Sequence, residues 1–595
     1  MTYLKGGEFL VKDIEANKVF LREEFNEEQM MMLQATQEFN EREVRPNLMR
    51  FENKDYTLIE QLMRQSGELG LLGITIPEIY EGLGMGFNTG MLICEEISSL
   101  TGSLATAFGA HTGIGTLPIL LYGNEDQKKY YLPKIASGEW ISCYNLTEPD
   151  AGSDANSGKT KAILTEDGRH YEITGQKIWI SNAGFAHVFI VFARIENDKN
   201  ITAFIFEKDK VEGLTLNPEE SKLGIRSSST RQVFFNNVKV PLSAMLGKRG
   251  DGFKIAMNSL NVGRIKLSVA VTGASKKVLN YAINYANERK QFKMPISSFG
   301  AIQYKLAEMA TKTYVADAGN YRSGQDIEDH IARLEASGMD PQEAKLKGVE
   351  EYAIECAILK VFGSEVVKYT CDEAVQVYGG MGFSAESEVE ACYRDARISR
   401  IYEGTNEINR LLVVKMILKK AMTGEINLLG PTQEVAKELL TIPSFEVSTS
   451  LEILGEEKKA LKKLKKAILM VSGTAAQKLG DKLASEQEIM MNIADMVIEV
   501  FMLESAILKT EKLITKHGEK NNQEKISICI NYLYHTAEEV SKNGKEALYA
   551  LAEGDKQKML LIGLKRFTKL SPTNLKEHRR SIAKKLIEAN EYCFD

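Results

Sequence analysis

The chain has 595 residues, more than one hydrophobic core usually serves, so three or four domains are expected. Hydrophobic residues make up 44% and charged residues 26%, which excludes a disordered chain; a net charge of −6 with scattered basic residues excludes a nucleic-acid-binding stripe. Seven cysteines without a C-x-x-C pair and seven histidines without an H-E-x-x-H spacing argue against a metal and for buried thiols in a reducing compartment.

The segment Met1-Thr2-Tyr3-Leu4-Lys5-Gly6-Gly7 lacks the basic stretch and apolar core of a signal peptide, and no run is read as reaching the ~18 apolar residues that cross a bilayer. A soluble, cytoplasmic protein is expected. Helical spacing dominates residues 26–137: 27–49 reads as one helix with Pro46 near its end, and 91–111 as a buried pair rich in small residues. Residues 70–86 are glycine-rich but lack G-x-G-x-x-G and a preceding strand, so they read as turns. Past Trp140 the period shifts. Short β-branched and aromatic runs at 159–164, 170–174, 187–195, 201–207 and 230–240 predict a small β-barrel or sandwich. No helix alternates with them, which disfavours a Rossmann domain and NAD.

From Gly252 onward long helices return, at 253–287, 300–321, 348–378 and 408–422. Between them, the polar segment 326–347 with Pro341 reads as a surface insertion. Residues 424–450, with Pro431 and Pro443, read as a linker, and 451–595 as a further helical domain. Its helix 456–470 sets Leu461, Leu464 and Ile468 against a face of six lysines, suiting either a solvated bundle helix or a membrane-surface or docking element.

Five patches carry chemistry. They are Tyr144-Asn145-Leu146-Thr147-Glu148-Pro149-Asp150-Ala151-Gly152-Ser153-Asp154, Trp179-Ile180-Ser181-Asn182, Arg289-Lys290-Gln291-Phe292, Gln376-Val377-Tyr378-Gly379-Gly380, and Tyr402-Glu403-Gly404-Thr405-Asn406. Each alone reads as a turn, a core tryptophan, a surface arginine, a helix C-cap or a helix start. In the last, a carboxylate among apolar residues keeps a raised pKa and becomes a stronger base once water is excluded. Gly404 admits close backbone approach to a ligand.

Together, in this order, the patches resemble the acyl-CoA dehydrogenase family over residues 26–425: its L-T-E-P-x-x-G-S-D, W-I-S/T-N, R-x-x-F, Q-x-x-G-G and Y-E-G-T motifs. With the C-terminal extension the chain is most similar to very-long-chain members and their bacterial relatives. The resemblance implies a mainly α fold with a central β-barrel: an N-terminal helical domain (26–138), a β-barrel (139–246), a four-helix bundle carrying the catalytic Glu (247–423), the linker and the added domain. It implies non-covalent FAD, a homodimer or homotetramer, and electron-transfer flavoprotein as acceptor. The FAD contacts it assigns are Tyr144, Leu146, Thr147, Ser153, Trp179, Ile180 and Ser181; Arg289, Gln291, Phe292, Gln303, Gln376, Gly379 and Gly380, several of them toward a neighbouring subunit; and Thr405 and Asn406. Ser153, Arg264 and Gly404 are assigned to the acyl-CoA.

In the implied reaction Glu403 removes the α-proton, its backbone N–H helps hold the thioester oxygen, and the β-hydride passes to FAD, giving a trans-2-enoyl-CoA in fatty-acid β-oxidation. Some branches of the family place the base immediately before the position of Arg264; here that residue is Gly263, leaving Glu403. Thr106 and Ala110 stand where medium-chain members carry bulky polar residues, so a long acyl chain is expected. Lys293 departs from the family's usual glycine. The rival readings are an acyl-CoA oxidase and a flavin-bearing scaffold of the same fold; relatives acting on nitroalkanes carry Asp as base.

Overall fold

The computed structural model describes residues 3–441 and 452–595. A helical N-terminal part, a β-sheet, a helical bundle and a second helical part follow in order. The first helix, Glu27–Phe39, starts at a capping box of Asn26 and Gln29. It is shorter than expected. The chain passes through a π turn (Asn40–Val44) and a 3-10 turn (Arg45–Asn47) before Leu48–Glu52, because Pro46 has no N–H to continue an α-helix. The helices Phe87–Ile97 and Gly102–Gly109 form the buried pair. Gly102–Tyr122 is, contrary to the sequence reading, long and apolar enough to cross a membrane, but it is 78% buried within the protein as core.

Eight strands follow: β1 (Ser142–Asn145), β2 (Lys161–Leu164), β3 (His170–Ser181), β4 (Val188–Ile195), β5 (Thr202–Glu207), β6 (Leu214–Leu216), β7 (Thr230–Pro241) and β8 (Met245–Leu246). They pair as β6-β7-β3-β2-β4-β5-β8, with β1 joined in parallel to β4. Among the described residues the pairings run as a path from β6 to β8, within the barrel-or-sandwich class expected from sequence. Phe189, Val191, Phe204, Phe206 and Val233 fill one face as a separate apolar core. The long β3–β7 pairing slips twice, and the second slip, between Lys177 and Ile180, is a bulge that re-aims Trp179.

The bundle consists of Gly252–Glu288, Gly300–Ala336, Ala353–Tyr378 and Asn406–Met422. Residues 326–347 are not a surface insertion. The Gly300–Ala336 helix runs through them with Ile327 and His330 buried, and Pro341 opens a further helix, Pro341–Glu351. Proline suits a first helical turn, and the Asp340 carboxylate accepts the N–H of Gln342 and Glu343. The segment read as a linker contains the helix Leu429–Leu439, while residues 442–451, including Pro443, lie outside the described residues. Helices Gly455–Leu479, Gln487–His517, Gln523–Leu551, Gly554–Thr568 and Leu575–Ala589 complete the chain.

The lysine face of Gly455–Leu479 is not a free cationic surface. Lys458 pairs with Glu511, Lys462 with Asp13, Lys465 with Glu504 and Lys466 with Glu438. These charges dock the helix onto its own molecule, which removes the sequence argument for membrane binding.

Candidate active site

Glu403 lies on the short connection into the Asn406–Met422 helix, with φ of 59° at Glu403 and 80° at Gly404. Two successive left-handed residues turn the chain sharply; the second is free of strain only because it is glycine. Three donors hold this turn. The Asn409 side-chain amide donates to the carbonyls of Glu403, Gly404 and Thr405 at 3.3, 2.8 and 3.1 Å. Lys360 Nζ donates to the Gly404 carbonyl at 2.6 Å, and Arg264 Nε to the Glu403 carbonyl at 3.4 Å. Thr405 caps the following helix through the Ile408 N–H.

With its backbone pinned, the Glu403 side chain turns inward. Oε2 is buried and has no hydrogen-bond partner. Burial pushes the carboxyl up to about 7, against the opposing pull of Arg264 and Lys360. Gly263, the alternative base position, faces this carboxylate: a Cβ there would lie 2.9 Å from Glu403 Cδ. The two base positions therefore converge on one point in space, and glycine leaves the room that the Glu403 side chain occupies. The Tyr144 hydroxyl, also buried without a partner, feels the Glu403 charge from the β1 side. Tyr402 bonds Thr106.

The first two patches meet on the sheet. The Ile178 N–H donates to the Thr147 carbonyl at 2.9 Å, and fully buried Lys177 binds the Leu146 carbonyl (3.0 Å) and Glu148 (2.6 Å). Leu146 and Ile180 are buried, Thr147 and Ser181 half-buried, and Ser153 exposed. Trp179 is 58% exposed at φ 61°, an indole presented outward by the bulge.

A second group gathers at one end of the bundle. Tyr285 stacks on Tyr378 at 4.0 Å, which brings the ends of Gly252–Glu288 and Ala353–Tyr378 together. Arg289, Gln291, Phe292, Gln376, Gly379 and Gly380 are all exposed there. Phe292 and Lys293 form the turn of a two-stranded hairpin with φ of 52° and 70°, so Lys293 occupies a left-handed position that favours glycine. Gln303 donates to the Ser297 carbonyl and accepts from Arg580 of the last domain. No hydrogen bond, ion pair or ring contact among the described residues links this group to Glu403.

Asn406 faces inward, bonded to Lys360, Ser364 and Glu365. Its side chain thus braces the turn, where the resemblance assigned it to the flavin. Lys360, Asn409 and Lys177 escaped the sequence reading. The signal for the first was a lysine inside the apolar run Ile358-Leu359-Lys360-Val361-Phe362.

Known proteins resemble the chain over nearly its whole length. The families described as acyl-CoA dehydrogenase N-terminal, middle and C-terminal domain match residues 26–139, 143–238 and 250–418, and a second C-terminal-domain family matches 463–566. A Bacillus subtilis (strain 168) protein named probable acyl-CoA dehydrogenase is 43% identical over 588 residues, covering 99% of this chain and 98% of its own. The chain belongs to the acyl-CoA dehydrogenase family. A mitochondrial very long-chain specific acyl-CoA dehydrogenase of Bos taurus is 33% identical over 86% of this chain and 78% of its own. Among solved structures, an acyl-CoA dehydrogenase complexed with FAD from Bacillus anthracis superposes with TM-score 0.96 at 44% identity, over 99% of this chain and 100% of that one. A chain from a structure described as the electron transferring flavoprotein of Acidaminococcus fermentans superposes at TM-score 0.60 with 34% identity, over 67% of this chain and all of its own.

This acyl-CoA dehydrogenase is an FAD-dependent oxidoreductase, and its residues fit that group. The outward indole of Trp179 beside half-buried Ser181 offers an aromatic wall with a hydroxyl, suited to a flat heteroaromatic ring. The unpartnered Tyr144 hydroxyl and Glu403 carboxylate leave polar atoms for a ligand between sheet and bundle.

Proposed function

We propose that the enzyme converts long-chain saturated acyl-CoA thioesters to trans-2-enoyl-CoA, with Glu403 as the base that takes the α-proton. One observation carries the base assignment: a buried carboxylate with an unpartnered oxygen, pushed up to about 7, on a turn braced from three sides. A base titrating near neutrality suits proton abstraction at physiological pH. FAD, when bound, supplies the hydride acceptor. We assign its ring to the face of Leu146, Thr147, Trp179, Ile180 and Ser181, and its phosphate end to Arg289, Gln291, Phe292, Gln376, Gly379 and Gly380 of a neighbouring copy. The exposure of Phe292 (87%) and Phe383 (86%) at that end supports a homo-oligomer that covers them.

The chain-length reading rests on the stretch between Thr106 and Gly115. The α-helix loosens there into a π turn, Ala110–Gly115, with Lys266 Nζ at 3.1 Å from the Thr112 carbonyl. Gly113 is buried, yet a Cβ built on it meets no atom within 4 Å, and the same holds at Gly109. Thr106, Gly109 and Gly113 recur at helical spacing, and Thr106 bonds Tyr402 next to the base. We place the acyl tail along this face, from Glu403 past Gly109 and Gly113, where glycine leaves room for it. The open positions are Gly109, between the Thr106 and Ala110 read from sequence, and Gly113, three residues past Ala110.

Electron-transfer flavoprotein as acceptor and a role in fatty-acid β-oxidation complete the reading; the first is supported by the similar chain from a structure described as an electron transferring flavoprotein, the second by relatives named for acyl-CoA dehydrogenation. A cytoplasmic setting is supported by seven free cysteines, five of them buried. The deciding experiment is anaerobic titration of the yellow protein with palmitoyl-CoA. Bleaching of the flavin in the wild type and none in Glu403→Gln is expected. Bleaching in both would refute the base assignment, and no bleaching at any chain length would promote the scaffold reading. Air admitted afterwards separates dehydrogenase from oxidase.

A further inference from the structure

We propose that Lys360 is a positioning residue for the base: its ammonium braces the turn that carries Glu403 and provides the nearby positive charge that keeps the buried carboxylate ionisable. The inference rests on Glu403 being the base. Lys360 is fully buried in the middle of Ala353–Tyr378, and its Nζ reaches the Gly404 carbonyl at 2.6 Å and Asn406 Oδ1 at 2.8 Å. Both acceptors are neutral, so the ammonium has no carboxylate in direct contact.

A neutral donor would be enough to hold the turn, because Asn409 already binds three of its carbonyls. A buried lysine is expensive by comparison, and burial pulls Lys360 down to about 7. The charge therefore needs a reason beyond bracing, and Glu403 provides it. The charged groups around the two residues come from every packed element. Arg264 on Gly252–Glu288 faces both; Tyr144 on β1 and Tyr402 on the turn face Glu403; Glu407 and Glu365 face Lys360. Arg264 and Lys360 are the two cations that oppose the effect of burial on the base. Lys360 and Glu403 titrate as a linked pair in the fixed positive field of Arg264, so loss of the lysine charge moves the apparent midpoint for proton abstraction upward.

The test is the pH profile of anaerobic flavin bleaching by palmitoyl-CoA, measured on the FAD-loaded proteins. Lys360→Met removes the charge at similar length. Its midpoint is expected to rise by about one unit, with a roughly tenfold rate loss below the midpoint and recovery above it. Lys360→Arg keeps the charge; its midpoint should stay near that of the wild type even if the rate falls. A Lys360→Met profile that drops equally at all pH values would overturn the proposal, because bracing alone predicts that. Should Lys360→Met not retain flavin, Lys360→Gln decides, since it keeps a donor for the turn without the charge: a raised midpoint supports the idea, and an unmoved one overturns it. Glu403→Gln, run alongside, separates the two readings. Persistent bleaching there refutes the base assignment itself, whatever Lys360 does.

Discussion

Gly109→Leu gives the sharpest test of the acyl path past Gly109 and Gly113. Gly109 has φ −64° and ψ −40°, ordinary right-handed helix geometry, and a Cβ there meets nothing within 4 Å. The substitution therefore adds no backbone strain and no collision at Cβ, and replacing a helical glycine should raise stability by about 0.5–1 kcal/mol. A leucine side chain fills the space of three or four methylenes of an acyl tail. At ~0.8 kcal/mol for each buried methylene, palmitoyl-CoA loses about 3 kcal/mol of binding, or ~100-fold in kcat/KM. Butanoyl-CoA, short enough to stop before a block about one helical turn from Thr106, should change less than about threefold. Gly113→Leu lies four residues deeper, about 5–6 Å along the helix, so its cut-off should fall about four or five carbons later. The assay is kcat/KM across even chain lengths with a dye acceptor, alongside melting temperature. An unchanged ratio of palmitoyl to butanoyl activity in a well-folded Gly109→Leu protein would refute an acyl path on this face.

In the wild type, proton abstraction requires ionised Glu403, which titrates at about 7; single-turnover bleaching should thus rise about tenfold per unit below pH 6 and flatten above pH 8. Lys177→Met strands the buried Glu148 carboxylate and frees the Leu146 carbonyl, costing about 3–5 kcal/mol, seen as a lower melting temperature and a reduced flavin-to-protein absorbance ratio. Glu355 is a buried carboxyl pushed up to about 7, with Oε1 accepting the Gly7 N–H at 2.7 Å and Oε2 unpartnered. Because the folded state binds its proton more tightly, this group's contribution declines as pH rises from about 4.5 to 7; Glu355→Gln should be more stable by about 2 kcal/mol at pH 8 and equal at pH 4.5, read by thermal melting.

The base and the aromatic wall were legible because their motifs are continuous in sequence: Glu403 precedes Gly404, and Trp179 ends a strand. What braces them was not. Lys360 lies 43 positions before Glu403, and Lys177 binds a loop some thirty residues upstream, so only folding brings charge and carbonyl together. A lysine inside an apolar run is a visible oddity, but its partner is not. The length of Gly300–Ala336 was missed because polar composition was taken for exposure; a helix with one buried stripe, here Ile327 and His330, needs no more apolar residues than 326–336 contains. The order of the strands was illegible for another reason: strand runs show which segments are extended, not which of them pair.

The last domain invites the view of a docking appendage, and its contacts argue against that. Arg322 on the bundle binds Glu504 at 3.0 Å and Ser505 at 3.1 Å, and Glu504 also takes Lys465. Asp317 sits between Lys276 of the bundle and Lys509 of the last domain, at 2.8 and 2.6 Å. All of these side chains are buried between the two parts, so swinging the domain away would break the whole set of pairs at once. Arg410, one turn into the helix that begins just after Glu403, binds Asp495 of the last domain at 2.7 Å. The added helices are thus continuous with the catalytic bundle, and the helix that carries the base on its leading turn is anchored on that side by the domain whose sequence holds no catalytic motif.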